Sequence, residues 1–199
     1  MSSPKSYDAA ARVLPPGQRP VTRIKAQHYG RIPQLRPATW SLVVTGATAA
    51  GEKRTFTLEE IRRLPRTSVR ADLHCVSRWT QLDHEWEGVS ARTVLDLVPP
   101  SGDVTHVLAF GEYGYSSTLR LEDLASPRAV LADRVNGADL TPEHGWPLRL
   151  IVPHLYAFKG PKWLRGLEYL RRPVRGFWEQ RGYHVVADPW REERYSYQE

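Results

Sequence analysis

The chain has 199 residues, of which 41% are hydrophobic, and it carries a formal net charge of +6. It can bury one good core, and its single cysteine excludes both an internal disulfide and a zinc or iron–sulfur centre built from spaced cysteines. No run approaches the ~18 apolar residues of a membrane helix, and residues 1–20 contain no apolar signal core, so we expect a cytoplasmic protein with no membrane partner.

The excess of positive charge predicts an anionic partner, either a nucleic acid or a phosphorylated small molecule. The basic residues are scattered along the chain and accompany no recognised nucleic-acid-binding motif. We therefore expect no nucleic acid partner, although a basic nucleic-acid-binding protein stays an alternative.

The beginning of the chain, residues 1–20, is rich in Pro, Ser and Gly and is predicted to form an extended arm. Residues 21–199 are predicted to form one domain. A strand is predicted over 41–46, and a capping box at Thr57 begins a short helix that Pro65 ends. The alternation of polar and apolar residues over 67–73 predicts a strand that ends at the cysteine.

The second half of the chain continues this mixture of short elements. Ser90 caps a short amphipathic helix, and an apolar strand follows at 105–110. Asn136-Gly137 marks a hairpin turn, and a further apolar strand covers 148–152. From Arg165 onward the chain is aromatic and charged, which predicts a C-terminal wrap whose rings pack on the core.

Three roles are open to Cys75. A lone cysteine is often inert packing, but it can also be a nucleophile paired with a distant histidine or a soft ligand of a transition metal. Its neighbours His74 and Arg78 favour the thiolate, which is the reactive and metal-binding form. Composition alone does not separate these roles.

The downstream cations have a physical interpretation of their own. Arg149 lies in an apolar strand, where a guanidinium is costly to bury unless an anion meets it. A phosphate would supply that anion, and Lys159 and Lys162 flank Gly160 in a turn suited to phosphate oxygens. The alternative is a strand arginine in an ordinary salt bridge.

Three separated segments carry a resemblance to a known family. The first is the cysteine segment, His74-Cys75-Val76-Ser77-Arg78-Trp79-Thr80, which is followed by Trp86-Glu87-Gly88-Val89. The second is His144-Gly145-Trp146-Pro147-Leu148-Arg149, and the third is Lys159-Gly160-Pro161-Lys162-Trp163. A weaker match lies at Leu14-Pro15-Pro16-Gly17-Gln18. They resemble the sulfite-oxidase-type molybdopterin oxidoreductases, in particular their small bacterial branch that lacks haem. The resemblance implies an α+β fold of mixed β-sheets with short peripheral helices.

The resemblance also implies a cofactor, Mo-molybdopterin with no attached nucleotide, and no haem. Cys75 would be the metal ligand. The residues implied to bind the cofactor are Lys25, His28, Tyr29, Glu112, His144, Arg149, Lys159, Gly160, Pro161 and Lys162. Arg78 is predicted to be a substrate-facing cation and Tyr115 a nearby hydroxyl donor.

The reaction implied is transfer of an oxygen atom or two electrons. The substrate would be a small oxyanion, a sulfoxide or an N-oxide, and the electrons would be exchanged with an external carrier by a monomeric protein. Sulfite itself is disfavoured, because Ser77-Arg78-Trp79 stands where sulfite oxidases carry further basic residues. The alternative within the same family likeness is a protein that binds or carries the cofactor without turnover.

Overall fold

The computed structural model describes residues 12–22 and 26–199, and within these ranges short elements assemble into two mixed β-sheets. The strands are β1 (Arg19–Val21), β2 (Ser41–Gly46), β3 (Arg54–Thr57), β4 (Arg66–Cys75), β5 (Trp79–Ser90), β6 (His106–Gly111), β7 (Ser116–Arg120), β8 (Val130–Val135), β9 (Ala138–Asp139), β10 (Arg149–Ile151) and β11 (Leu164–Leu170). The α-helices are α1 (Leu58–Arg63), α2 (Ala91–Leu97) and α3 (Leu121–Leu124), and short 3₁₀ turns cover Pro37–Thr39, Glu112–Gly114, Pro142–His144, Ala157–Lys159, Glu179–Arg181 and Ser196–Gln198. The predicted α+β class with mixed sheets and short helices is confirmed.

The first sheet is organised around β5. This strand pairs in parallel with β1 and antiparallel with both β4 and β8, while β10 and β9 pair with β8. The pairing of β1 with β5 places Arg19 beside Trp79, so the predicted N-terminal arm contributes a strand next to the cysteine turn.

The second sheet has the order β3-β2-β11-β6-β7, with β11 parallel to β2 and antiparallel to β6. The main hydrophobic core contains fully buried residues of both sheets, such as Leu42 and Leu167 from the second and Leu131 and Leu150 from the first. It therefore joins the sheets into one unit, as burial of their apolar faces requires.

A smaller hydrophobic cluster covers the other face of the first sheet. It contains Val69, Trp86, Val130 and Leu140, among others. Neighbouring positions of a strand point to opposite faces, so Val130 belongs to this cluster while Leu131 belongs to the main core. A large cavity lies on this second face.

Several local predictions are confirmed. The capping box between Thr57 and Glu60 begins α1, Ser90 caps α2, and β2 covers the predicted 41–46. The strand β4 ends at Cys75 as expected. The long strand β5 and the strand β11 were not predicted, since their sequences mix polar and apolar residues without strict alternation. In the described ranges, no helix has the length and apolar content needed to cross a membrane.

Candidate functional site

A cavity of about 900 Å³ lies against the second face of the first sheet. Most of the residues predicted from the sequence to form a site meet there: His28, Tyr29, Cys75, Glu112, Tyr115, His144, Arg149, Gly160 and Lys162. Residues that were not predicted complete the wall, including Gln27, Ser77, His84, Trp86, Trp178 and Tyr183. Lys25, which was predicted to bind the cofactor, lies outside the described residues.

Cys75 is the last residue of β4, and a tight hairpin turn connects it to Trp79, the first residue of β5. Arg78 closes the turn with a positive φ of 71°, the left-handed conformation that such three-residue loops use. The cysteine is partly buried, and its Sγ lies 3.0 Å from Ser77 Oγ and 3.4 Å from Gln27 Oε1. The hairpin therefore presents the thiol at the cavity wall.

Arg149 enters the cavity from β10 and is only 3% exposed. Its Nη1 donates to the carbonyl of His144 at 3.0 Å, and its guanidinium lies 5.1 Å from the centre of the Trp86 ring. Among the described residues, no carboxylate is within ion-pair distance of the guanidinium, and Nε has no hydrogen-bond partner. Burial accordingly lowers the pKa of Arg149 to about 10. The ordinary salt bridge considered above is absent from the described structure.

Lys162 and His144 lie on the same wall. The Nζ of Lys162 donates to the backbone carbonyls of Gln27 and Glu143, both at 2.7 Å, and burial with the nearby Arg149 lowers its pKa to about 7. Burial also lowers the pKa of His144, and Lys162 and Arg149 add to this effect. Positive charge is thus disfavoured on this wall unless an anion is bound there.

The pKa of Lys162 leads to a testable pH dependence. In the cofactor-free protein, one lysine amine should titrate near pH 7 in side-chain NMR spectra. An anion would raise this pKa, so binding would take up a proton above pH 7, and affinity would fall by up to about tenfold per unit as the pH rises from there. Lys162→Met should remove the signal, and Lys53→Met, at an exposed position, should retain it. A Lys162 amine that titrates only near pH 10 would contradict the prediction.

The turn at Gly160 brings the chain close to β10. A Cβ on this glycine would lie 2.2 Å from the carbonyl oxygen of Leu150, a contact that no side chain tolerates, so glycine is required. Pro161 is buried behind the wall, where its carbonyl accepts a hydrogen bond from the Leu150 amide at 3.0 Å. Of the two, Gly160 lines the cavity and Pro161 does not.

Lys159 does not line the cavity, contrary to the prediction that it joins Lys162 around a phosphate. Its side chain is 1% exposed, and Nζ donates to Glu179 Oε1 and to the Val185 carbonyl, both at 2.6 Å. The same Glu179 oxygen accepts the amide of Thr118 at 3.0 Å. A buried ammonium needs such a partner, and here the C-terminal wrap supplies it on the far side of the turn.

Arg78 also departs from its predicted role as a substrate-facing cation. It does not line the cavity, and its Nη1 lies 3.0 Å from Glu192 Oε1. The left-handed turn conformation directs the chain so that this side chain meets the C-terminal segment. The cation beside the cysteine is therefore already paired with a carboxylate.

Tyr115 lines the cavity, but its hydroxyl donates to the carbonyl of Phe158 at 2.7 Å. Burial, with Glu179 nearby, raises the pKa of this phenol, so it stays protonated. Its ring stacks on Phe177 at 5.7 Å. In this structure Tyr115 is a wall residue whose hydroxyl is already used by the backbone.

The other predicted contacts lie along the rim. Glu112 lines the cavity with its Oε1 3.4 Å from Arg165 Nε. The His28 ring lies 6.0 Å from that of Trp163, and Tyr29, 53% exposed, packs on Phe177 at 4.6 Å. These groups offer flat apolar surface and hydrogen-bonding atoms at the mouth of the cavity.

His84 and Trp86 were missed by the sequence analysis. They are two residues apart on β5, so they share a face, and their rings are 5.0 Å apart on the cavity wall. His84 Nε2 and Trp86 Nε1 are buried without a hydrogen-bond partner in the described structure. A strand prediction over 79–90 would have placed both on one face.

Comparison with known proteins shows the family of the chain. Residues 29–178 match the model of the family described as oxidoreductase molybdopterin binding domain. The chain belongs to this family. It is 36% identical over 194 residues to the uncharacterized oxidoreductase YuiH of Bacillus subtilis, an alignment that covers 97% of this chain and 96% of YuiH.

More distant members of the family have more specific names. This molybdopterin-binding domain is 26% identical over 178 residues to the protein-methionine-sulfoxide reductase catalytic subunit MsrP of Gluconobacter oxydans, covering 78% of this chain and 56% of MsrP. It is also 26% identical over 159 residues to YedZ1 of Azospira oryzae, a putative protein-methionine-sulfoxide reductase subunit, covering 79% of this chain and 60% of YedZ1. The chain thus spans little more than half the length of these two relatives.

The fold is similar to that of the sulfane dehydrogenase SoxCD from Paracoccus pantotrophus. The TM-score is 0.69 at 24% sequence identity, and the match covers 75% of this chain and 42% of that one. At this identity the likeness concerns the fold. It agrees with the sulfite-oxidase-type architecture expected of a molybdopterin-binding domain.

The cavity residues fit such a cofactor. A phosphate would meet the guanidinium of Arg149, which is buried without a carboxylate partner in the described structure. A metal that prefers soft ligands would meet the thiol of Cys75 at the same cavity wall. A cavity of about 900 Å³ falls within the range of cofactor pockets.

Proposed function

We propose that this chain is a molybdenum oxidoreductase in which Cys75 is the protein ligand of the metal and Arg149, Lys162 and His144 hold the phosphate of molybdopterin. The observation that carries the proposal is a buried guanidinium without a carboxylate partner in the cavity that also contains the lone thiol. When bound, the cofactor supplies two-electron chemistry coupled to transfer of an oxygen atom. No haem and no attached nucleotide are expected to take part.

The protein side of the phosphate site is a set of donors. Arg149 offers a planar guanidinium fork, Lys162 an ammonium, and His144 an imidazole whose Nδ1 is 2.8 Å from Thr141 Oγ1. In the structure Lys162 holds backbone carbonyls, so these hydrogen bonds must be exchanged for phosphate contacts. The site would thereby gain the anion that its positive groups lack.

A neutral substrate fits the rest of the cavity better than an oxyanion. Among the described residues, the arginine and lysine side chains that line the cavity are those of Arg149 and Lys162. Both are assigned to the phosphate. Arg78 is paired with Glu192 and does not line the wall. We therefore propose a sulfoxide or N-oxide as substrate and disfavour sulfite, as the sequence analysis did.

Aromatic side chains would form the substrate side of the site. Trp178 and Tyr183 line the cavity with their rings 5.3 Å apart and inclined to each other by 70°. Sulfur groups make favourable contacts with aromatic rings, and these rings also exclude water. Sulfoxide reductases among the relatives support this choice.

The reaction balances with an external electron donor. The sulfoxide loses its oxygen as water, takes up two electrons and two protons, and leaves as the sulfide. The electrons would come from a separate carrier protein, and we propose that the chain acts as a monomer. Ser77, with its hydroxyl 3.0 Å from Cys75 Sγ, is placed to hydrogen-bond the sulfur.

The test is expression in a host that makes the cofactor, followed by metal analysis and assays with a reduced dye as electron donor. We expect stoichiometric molybdenum and dye oxidation with methionine sulfoxide, dimethyl sulfoxide or trimethylamine N-oxide. Molybdenum without turnover of any of them would favour the cofactor-carrier alternative. Oxidation of sulfite in place of sulfoxide reduction would refute the substrate assignment, and metal-free protein would refute the whole proposal.

A further inference from the structure

The cysteine turn is held from outside by both ends of the described chain. We propose that Arg194 is a positioning residue that fixes the direction of the Cys75 thiol, and the mechanistic meaning of this rests on the function proposed above. Arg194 is 2% exposed, and its Nη1 donates to the carbonyl of Val76 at 2.6 Å. Its Nη2 donates to the carbonyl of Pro16 at 3.1 Å, and Nε to Glu192 Oε1 at 3.3 Å.

Other carbonyls of the turn are held by the N-terminal segment. The carbonyl of Cys75 accepts Gln18 Nε2 at 3.0 Å, and that of Arg78 accepts the amide of Arg19 at 3.2 Å. The carbonyls of residues 75, 76 and 78 therefore each have a partner from a distant part of the chain. Since the backbone of a short turn determines where the side chain of its first residue points, these contacts set the position of Sγ.

The guanidinium of Arg194 is enclosed on several sides. Its Cζ lies 5.0 Å from the centre of the Tyr156 ring. Gly17 has a φ of 67°, and a Cβ there would lie 2.6 Å from Arg78 Nη1 and Glu192 Oε1 and 3.2 Å from Arg194 Nη2. The positive φ of Gly17 strains any other residue, and a Cβ there would also displace the side-chain ends of Arg78 and Glu192. Glu192 pairs with both arginines, so its single negative charge offsets one of their two positive charges.

The contacts of Arg194 act on the backbone of the cysteine turn itself, and not only on the overall stability of the fold. The fork of one guanidinium joins the residue after the cysteine to the N-terminal segment, so a change in it moves the turn directly. A lysine has the charge but not the planar fork that reaches two carbonyls and a carboxylate together. Lysine at this position should therefore fail to position the thiol.

The experiment measures alkylation of Cys75 by iodoacetamide in the folded, cofactor-free chain, at a pH where the thiol is fully ionised. We expect Arg194→Ala, Arg194→Lys and Gly17→Ala each to raise the rate by at least about threefold, because the turn opens locally. Arg66→Ala, which removes an ion pair with Asp133 at the other end of β4, is the control and should leave the rate unchanged. If Arg194 only stabilised the fold, its substitution would lower the thermal midpoint of unfolding without changing the alkylation rate of Cys75. Unchanged alkylation rates in the Arg194 and Gly17 variants would overturn the proposal.

A second measurement uses the cofactor-loaded protein. Arg194→Lys should keep its molybdenum content, because Arg149 and Lys162 are untouched, but the Mo(V) resonance should shift in its g values. An unshifted spectrum would overturn the claim that Arg194 orients the metal ligand. If the wild-type chain takes up no molybdenum, the proposed function fails, while the alkylation rates still decide whether Arg194 positions Cys75.

Discussion

Replacing Cys75 by serine is expected to abolish redox turnover while most of the cofactor stays bound. A hydroxyl is a poor ligand for a metal that prefers sulfur, so turnover should fall by at least about a thousandfold. The groups assigned to the phosphate, Arg149 and Lys162, are left unchanged by the substitution. Dye-linked sulfoxide reduction and molybdenum content, measured on the same preparation, check the two halves of this expectation.

Cys75→Ala is the matched variant, since it removes the sulfur without offering a hydroxyl. It should lose turnover to the same extent. Neither change should disturb the fold, because Cys75 is only partly buried at the end of its strand. Turnover that persists in Cys75→Ser would show that the sulfur is not a ligand of the metal. Cys75 would then be an inert packing residue.

Arg149→Met should have two effects of opposite sign. The variant should lose the cofactor, because the substitution removes charge-assisted hydrogen bonding to the phosphate that contributes about 2 to 3 kcal/mol. The cofactor-free fold should become more stable by about 1 to 3 kcal/mol, because a buried cation without a carboxylate partner in the described structure is replaced by an unbranched apolar side chain. Cofactor content and urea unfolding of the metal-free protein measure the two effects.

Arg120→Met is the control for this result. Arg120 holds the buried Asp123 with two hydrogen bonds of 2.8 and 2.7 Å and does not line the cavity. Its loss should lower the free energy of unfolding by about 3 kcal/mol and leave the cofactor bound. An Arg149 variant that keeps full cofactor occupancy would place the phosphate elsewhere, and one that is strongly destabilised would mean that the guanidinium stabilises the metal-free fold.

The directions of the side chains of Lys159 and Lys162 could not be predicted from the sequence. Their spacing and the intervening glycine predicted one anion site, yet only Lys162 faces the cavity. Lys159 turns toward Glu179, which is twenty residues further along and buried against Thr118. Nothing near Lys159 in the sequence indicates that partner. Burial of one specific carboxylate decided the direction of the side chain.

The partner of Arg78 in the cysteine turn is likewise distant in the sequence and could not be predicted from neighbouring residues. A cation next to the thiol suggested a substrate contact, but its carboxylate partner, Glu192, lies in the last part of the chain. Arg194, which holds Val76, likewise belongs to the aromatic and charged segment that sequence analysis could only describe as a wrap. Contacts across more than a hundred residues leave no local pattern to read.

The sequence alone determined the features that depend on neighbouring residues. These are the capping box of α1, the strand that ends at Cys75 and the apolar strand around Arg149, together with the family that their motifs resemble. Capping, alternation and the cost of burying a charge act over a few residues and are visible in their order. Only the tertiary structure decided which cations face the cavity, that β5 lies at the centre of its sheet, and which distant groups hold the cysteine turn. Each of these depends on which buried group finds a partner when the sheets pack, and that is a property of the assembled chain.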